Sequence, residues 1–217
     1  VRSCPVEHEL VPLREAVEEF QPHVVFNLIT YFHNVGTYDA HVVSYMELLM
    51  QPYTGCNPRG LLLSHDKALS KKVLAYHRIP VPRFAVFRPG RKVRRPARLA
   101  FPLFVKSKAE HASMGIAQAS VVSSDESLAE RVDFIHRTVR TDAIAEQYLE
   151  GREFYVGVLG NERLQALPVW ELTFQSLPEG TEPIATSKVK WDIAYQKKVG
   201  AMTGPADLSE DAVQQIQ

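Results

Sequence analysis

FPLFVKSKAEHASMGIAQASVV, residues Phe101–Val122, is the stretch whose reading decides the fold. FPLFVKSK and IAQASVV read as two strands joined by the short loop SKAEHASMG, because β-branched and aromatic residues flank a small, polar, glycine-containing connection. Side chains alternate across a strand, so Phe101, Leu103 and Val105 share one face while Pro102, Phe104 and Lys106 share the other. Lys106 thus emerges beside an aromatic ring in an otherwise apolar strand and needs an anionic partner, unless it is an edge-strand lysine that discourages sheet pairing. Ser107, Ala112, Ser113 and Gly115 leave the loop with hydroxyls and amides that can be aimed at phosphate oxygens, although an ordinary surface hairpin has the same composition. His111 in this loop reads as an exposed histidine.

Working outward, IPVPRFAVF before this stretch reads as a strand, and a helix follows it. Ser123 with Glu126 fits a capping box, and Leu128, Val132, Ile135 and Val139 fall on one helical face. DAIAEQYL, REFYVGVLG and RLQALPVWELTF are further strand-type runs. Strands, one helix and then strands predict an α+β unit whose antiparallel sheet is covered on one face. Upstream, PHVVFNLIT (Pro22–Thr30) reads as a buried strand and HVVSYMELLM (His41–Met50) as a helix, together an α/β layer. PYTGCNPRG reads as a connection, after which Ser64 or Asp66 caps a helix running to His77. At the far end Ser209 caps a helix with Glu210 and Asp211 in its first turn, and that helix stops after about two turns, which reads as a partial chain. The expected units are 1–63, 64–150 and 151–217.

The 217 residues, 45% of them hydrophobic, are enough to bury a core. No apolar run reaches the roughly 18 residues of a membrane helix, and VRSCPVEHEL lacks the features of a secretory signal, so the expected location is cytoplasmic. Cys4 and Cys56 read as reduced thiols. Lys plus Arg equals Asp plus Glu at 25 each, which argues against a dedicated nucleic-acid binder. The balance is uneven along the chain: Lys67 to Lys108 holds 13 basic residues and no acid. That segment is suited to anions, although the six basic residues from Arg88 to Arg98 also fit a solvated loop.

Lys67 and Lys71 lie one helical turn apart in SHDKALSKK near a helix N-terminus, where Lys67 could reach a phosphate while Lys71 and Lys72 read as a solvated face. AIAEQYLEGREF sets Glu146, Glu150 and Glu153 around a connection between apolar strands, with Tyr148 and Leu149 beside them. An extended hinge of this kind offers backbone groups to an adenine edge, apolar side chains to the ring and a carboxylate to ribose hydroxyls. There is no G-x-G-x-x-G, Walker A or G-x-S-x-G sequence, and the histidines lack zinc-site spacing.

Taken in order, PYTGCN, DKALSKK, IPVPRF, FPLFVKSKAEHASMGI, IAEQYLEGREFYVGVLGN, LPVWEL and KVKWD resemble the ATP-grasp ligases, in particular the D-alanine:D-alanine ligase-like branch. The resemblance covers most of residues 22 to 200. It implies an ATP-grasp fold, α/β and α+β: part of a Rossmann-like N-terminal domain, a central antiparallel sheet with helices, and the start of a C-terminal subdomain. It implies that Lys67 and Lys106 contact ATP phosphates, that Ser113 belongs to a flexible phosphate-covering loop, and that Lys190 is a late phosphate-contacting lysine. Glu146 and Leu149 would read the adenine edge, and Glu153 would hold the ribose; Phe104 and Tyr148 suit adenine packing. The implied chemistry joins a small carboxylate and an amine by way of an acylphosphate, with ATP and Mg²⁺, no nucleic acid and no membrane; a homodimer is allowed. A non-catalytic ATP-binding module is the alternative. The loop departs from the usual E-G-S-S-x-G, since Glu110 is followed by His111, Ala112 and Ser113, and FHNVGTYDAH stands in place of a G-G-x-x-G-E-D-G-like stretch. The D-x-R and E-x-N-x-x-P-G elements that supply Mg²⁺ ligands are expected beyond residue 217.

Overall fold

The computed structural model describes residues 1–217. Its N-terminal part carries helices α1 (Val11–Phe20), α2 (Asp39–Leu48), α3 (Pro58–His65) and α4 (Lys67–Tyr76). α4 starts where its sequence dictates, at Asp66, whose carboxylate accepts from the amides of Ala68 at 3.0 Å and Leu69 at 2.9 Å. α3 occupies part of the stretch expected to be a connection. Asn57 caps it by accepting from the Gly60 amide at 2.9 Å, and Pro58, which has no amide hydrogen to leave unpaired, fills the first helical position.

Pro22–Thr30, expected as a buried strand, makes only one parallel bridge, Val25 with Tyr53. Val25 and Ile29 pack against the cluster of Leu13, Val42, Val43 and Met46, whereas Phe26 and Leu28 are 74% and 76% exposed. The two-residue alternation is that of a strand. The ladder is missing because only Pro52–Thr54 pairs with the run, through Val25 N to Pro52 O at 2.8 Å and Thr54 N to Val25 O at 2.9 Å.

The central layer contains β1 (Phe84–Phe87), β2 (Leu103–Ser107), β3 (Val121–Val122), α5 (Asp125–Phe134) and β4 (Ala143–Gln147). The sheet order is β1-β4-β2-β3 and every pair is antiparallel. Ser124 and Ser127 form the capping box of α5, one residue beyond the expected Ser123 and Glu126, and the helix runs on into a π-helical turn from Ile135 to Val139. Leu128, Val132 and Ile135 are fully buried against Leu103, Val105, Ala143 and Ala145. Each of the larger of these side chains stabilises the fold by about 1.5–3 kcal/mol. β2 lies between β4 and β3 in the sheet, with β3 pairing only to Leu103 and Phe104, so Lys106 is paired on the β4 side alone.

The last third contains β5 (Glu153–Tyr155), β6 (Val158–Leu159), β7 (Gln165–Ala166), β8 (Trp170–Thr173), α6 (Ser187–Trp191), α7 (Ile193–Val199), β9 (Met202–Pro205) and α8 (Glu210–Ile216). β5, β8 and β9 form an antiparallel sheet in the order β5-β8-β9, and β6 pairs with β7. α8 is capped by Ser209, as its sequence predicts. No helix is long and apolar enough to cross a membrane.

Candidate functional site

In the β2–β4 ladder Phe104 stands opposite Glu146 and Lys106 opposite Ile144. Phe104, Lys106 and Glu146 therefore share the sheet face opposite α5. Lys106 Nζ donates to Glu146 Oε1, and Lys71 Nζ, brought in by α4, sits 2.8 Å from Oε2 but out of hydrogen-bonding alignment. The Glu146 side chain is 9% exposed and those of Lys71 and Lys106 are 15% and 20% exposed. Burial pushes the Glu146 carboxyl up, but Lys106 and Lys71 together hold it below the ordinary value of 4.5. Lys67, at the start of α4, donates from Nζ to the carbonyl of Glu110, so the helix is tied to the loop after β2. Burial, and then the neighbouring Lys106, bring its pKa down to about 8. Two ammonium groups thus hold one carboxylate and Lys67 adds its charge nearby, a surplus of positive charge that an anion can neutralise. Lys108 does not join them, being held by Asp66 at 3.3 Å and Asp142 at 3.4 Å.

The end of β4 leads out of this cluster. Gln147 N donates to Arg83 O at 2.9 Å and Tyr148 N to Pro102 O at 3.0 Å, while the Leu149 amide has no partner in the chain. The rings of Phe104 and Tyr148 lie 6.4 Å apart and 24° from parallel, and Lys106 Nζ is 5.3 Å from the Phe104 ring. Tyr148 donates to Glu182 Oε2 at 2.8 Å, and its pKa is raised by burial and by that carboxylate. Beyond the hinge, Glu153 pairs with Leu172 and Tyr155 with Trp170, and Thr203 stands opposite Leu172, which places all five side chains on one face of the second sheet. That face, with Val189 and Lys190 of α6, borders a cavity of about 410 Å³. Glu153 itself accepts from the Tyr155 hydroxyl.

The loop after β2 bridges the two sheets. Ser113 donates to Ala185 O at 2.6 Å, Ser187 Oγ donates to Ser113 O, and Trp191 Nε1 donates to Ala112 O at 3.2 Å. Gln118 and Glu182 exchange two further bonds, at 3.0 and 2.9 Å. Ala112 and Ser113 take left-handed backbone angles, with φ of 54° and 61°, a conformation costly for residues with a Cβ and held here by this stitching.

The structure therefore brings Lys67, Lys106, Glu146 and Tyr148 together, and sets Glu153 and Lys190 on the second sheet. Two of the named side chains are already engaged within the chain. The side chain of Glu146 does not face the hinge but is enclosed by lysines, because its position in β4 points it at β2 and α4. The Ser113 hydroxyl is engaged by Ala185 and is not free for a phosphate in this conformation. Lys71, expected on a solvated face, is the second cation on Glu146; its spacing of four from Lys67 was the available signal. Asp39 and His65 were missed. His65 Nε2 lies 3.0 Å from both Asp39 oxygens and its Nδ1 lies 3.4 Å from Ala109 O, a buried pair at the base of the loop assembled from residues 26 positions apart. No local pattern announces such a pair.

Residues 73–217 match the family described as "D-ala D-ala ligase C-terminus". The chain belongs to this family. "Uncharacterized protein y4sG" of Sinorhizobium fredii (strain NBRC 101917 / NGR234) is 33% identical to this D-ala D-ala ligase family member over 156 residues, covering 72% of the chain and 44% of that relative. The D-alanine--D-alanine ligase of Bordetella pertussis (strain Tohama I / ATCC BAA-589 / NCTC 13251) is 37% identical over 132 residues, covering 58% and 40%. The chain spans about half the length of the curated relatives it matches, or less. Among solved structures, the D-alanine--D-alanine ligase from Bacillus anthracis complexed with ATP superposes with a TM-score of 0.67 at 17% identity, over 94% of this chain and 59% of that one. The antiparallel α+β architecture is thus that of the ATP-grasp ligases of this family, as the sequence predicts.

No three His, Cys, Asp or Glu side chains converge in a way that could hold a metal ion. The residues present do not by themselves fit a Mg²⁺ site.

Proposed function

We propose that this chain is the nucleotide-binding part of an ATP-dependent carboxylate-amine ligase, with ATP between the units 64–150 and 151–217. The observation that carries this reading is the cluster of Lys67, Lys71 and Lys106 around Glu146, next to a hinge whose Leu149 amide is unpaired. Lys67 and Lys106 would contact phosphates from one side and Lys190 from the other. The backbone from Glu146 to Leu149 would face the adenine edge, Tyr148 with Phe104 would pack on the ring, and Glu153 would accept from the ribose. Ser113 would act through its loop, covering the phosphates.

In such a reaction a carboxylate oxygen attacks the γ-phosphorus, ADP leaves, and an amine displaces phosphate from the acylphosphate to form the amide. The lysines offset charge on the transferring group, and the loop between the sheets excludes the water that would hydrolyse the acylphosphate. Small amino acids or peptide-like molecules are the proposed substrates, in the cytoplasm, with a homodimer as the proposed assembly and Mg²⁺ as the companion of ATP. The second reading, an ATP-binding module without ligase chemistry, is favoured by the engagement of Ser113 with Ala185.

The test is release of ADP and phosphate by the full-length protein given ATP and pairs of amino acids. Release that requires both a carboxylate and an amine supports the ligase. ATP binding without release under every pairing supports the module, and no ATP binding defeats both.

A further inference from the structure

Among the 13 basic residues from Lys67 to Lys108, two groups stand apart. Lys67, Lys71 and Lys106 enter the cluster on Glu146, whereas Arg88, Arg91, Lys92 and Arg94 surround a depression of about 250 Å³ beside β1. We infer that this depression is a second anion site, for a compact multivalent oxyanion, a phosphorylated or polycarboxylate small molecule.

None of these four side chains makes an ion pair or a hydrogen bond within the chain. Arg95, in the same loop, behaves differently. It pairs with Asp125 at 2.9 Å, donates to Leu99 O at 2.7 Å and lies over the Phe101 ring at 4.5 Å. Arg95 anchors the loop while its neighbours are left without a partner in the chain around the depression, where a bound counter-ion would relieve their mutual repulsion.

The other wall is the free edge of the sheet. Gln147 donates to Arg83 across the β1–β4 ladder, and in an antiparallel pair the backbone groups of alternate residues point outward, so the Val86 amide and carbonyl face away from β4. Val86 borders the depression, and its amide adds a fixed donor to three guanidinium forks whose planar geometry suits carboxylate and phosphate oxygens. Phe87 and Pro96 give the site apolar walls. β4 separates β1 from the strand that carries Lys106, so this site is distinct from the lysine cluster. A nucleic-acid groove would offer exposed aromatic platforms, and Arg88 to Arg98 contains no aromatic residue.

The test is calorimetry of the full chain with pyrophosphate and, separately, citrate at about 0.15 M salt, where exposed charges are largely screened. One site per chain that persists in Lys106→Ala is expected for at least one of the two anions, and the stronger binder at that site tells phosphate from carboxylate chemistry. Arg91→Ala and Arg94→Ala should each weaken binding about tenfold or more. The lysine cluster can itself take an anion, so binding that survives Lys106→Ala and is lost in the arginine variants belongs to the depression. Both arginines are exposed and make no bonds, so the variants should melt like the parent, and Arg94→Glu at the same melting temperature provides a stronger charge reversal. The inference is overturned if neither anion binds at that salt, if the arginine variants bind like the parent, or if only Lys106→Ala reduces binding. It is equally overturned if a single-stranded oligonucleotide or an acidic peptide binds this face with affinity that climbs with length while the small anions do not bind.

Discussion

Lys106 and Glu146 meet diagonally across β2 and β4: Lys106 faces Ile144, Glu146 faces Phe104, and the ammonium reaches the carboxylate two residues along the partner strand. Because Lys71 closes on the same carboxylate, one acid holds two partly buried cations in place. Glu146→Gln keeps the shape and removes the charge, and should destabilise the protein by about 2–3 kcal/mol, below the full cost of a fully buried orphan because both lysines retain some water. Urea denaturation measures this; an unchanged midpoint would contradict the ion-pair assignment. The folded-state pKa of Glu146 is depressed, so its stabilisation is complete above the ordinary value of 4.5 and is lost as pH falls below it. The parent should show this acid-limb loss and Glu146→Gln should lack it.

The Lys67 ammonium, with its pKa near 8, is partly deprotonated at mildly alkaline pH. A phosphate brought beside it favours the charged form and raises that value, so nucleotide binding at about pH 8.5 should take up a proton. Binding heats of MgATP to the full-length protein should then depend on the ionisation enthalpy of the buffer. Lys67→Met should abolish the dependence; heats that do not vary with buffer in the parent would refute proton uptake by Lys67.

The bonds from Ser113 to Ala185 and from Trp191 to Ala112 fasten the loop to α6 and the segment that leads into it. Ser113→Ala and Trp191→Phe each remove one bond worth about 0.5–1.5 kcal/mol. Local opening of residues 109–116 should become about 2- to 12-fold more frequent, read as faster limited proteolysis within that segment. Equal cleavage rates in parent and variants would show that the stitching does not govern the loop.

Gly115 has φ of +70°, and a Cβ there would sit 2.8 Å from Val139 Cγ2. Its carbonyl accepts from the buried guanidinium of Arg131, which also donates to Ser120 Oγ at 2.9 Å and lies 4.3 Å from the Phe134 ring. Gly115→Ala combines a strained backbone with crowding and should cost about 1–3 kcal/mol. A thermal melt tests this, and a melting temperature equal to the parent's would disprove the crowding.

The central sheet was the most legible part because its signals are local. Strand alternation in FPLFVKS places Lys106 opposite the core, and the acid or hydroxyl at Asp66 and Ser209 marks helix starts. The last third was harder. α6 and α7 have five and seven residues, too short for an apolar period to show, and rest on caps from Thr186 and Asp192. β9 reads Met-Thr-Gly-Pro, a poor strand by composition, and is extended because β8 pairs with it. The site was legible as a set of residue types but not as partnerships. Glu146 with two lysines, and Asp39 with His65, are contacts between separate elements that only the folded chain brings together.

The alternation within β2 ties the chemistry of the cluster to the core. Leu103, Val105 and Ser107 are buried on the α5 side while Phe104 and Lys106 face the other way. Inserting or deleting one residue between Phe101 and Lys106 would drive the ammonium under α5 and turn Val105 toward Glu146, so the frame shift removes the core and the cluster in one step. The same change between Lys108 and Ala112 would keep the core and the Lys106–Glu146 pair and alter the loop, including the Glu110 carbonyl that holds Lys67. Length variation among relatives should therefore be tolerated after Ser107 and excluded before it.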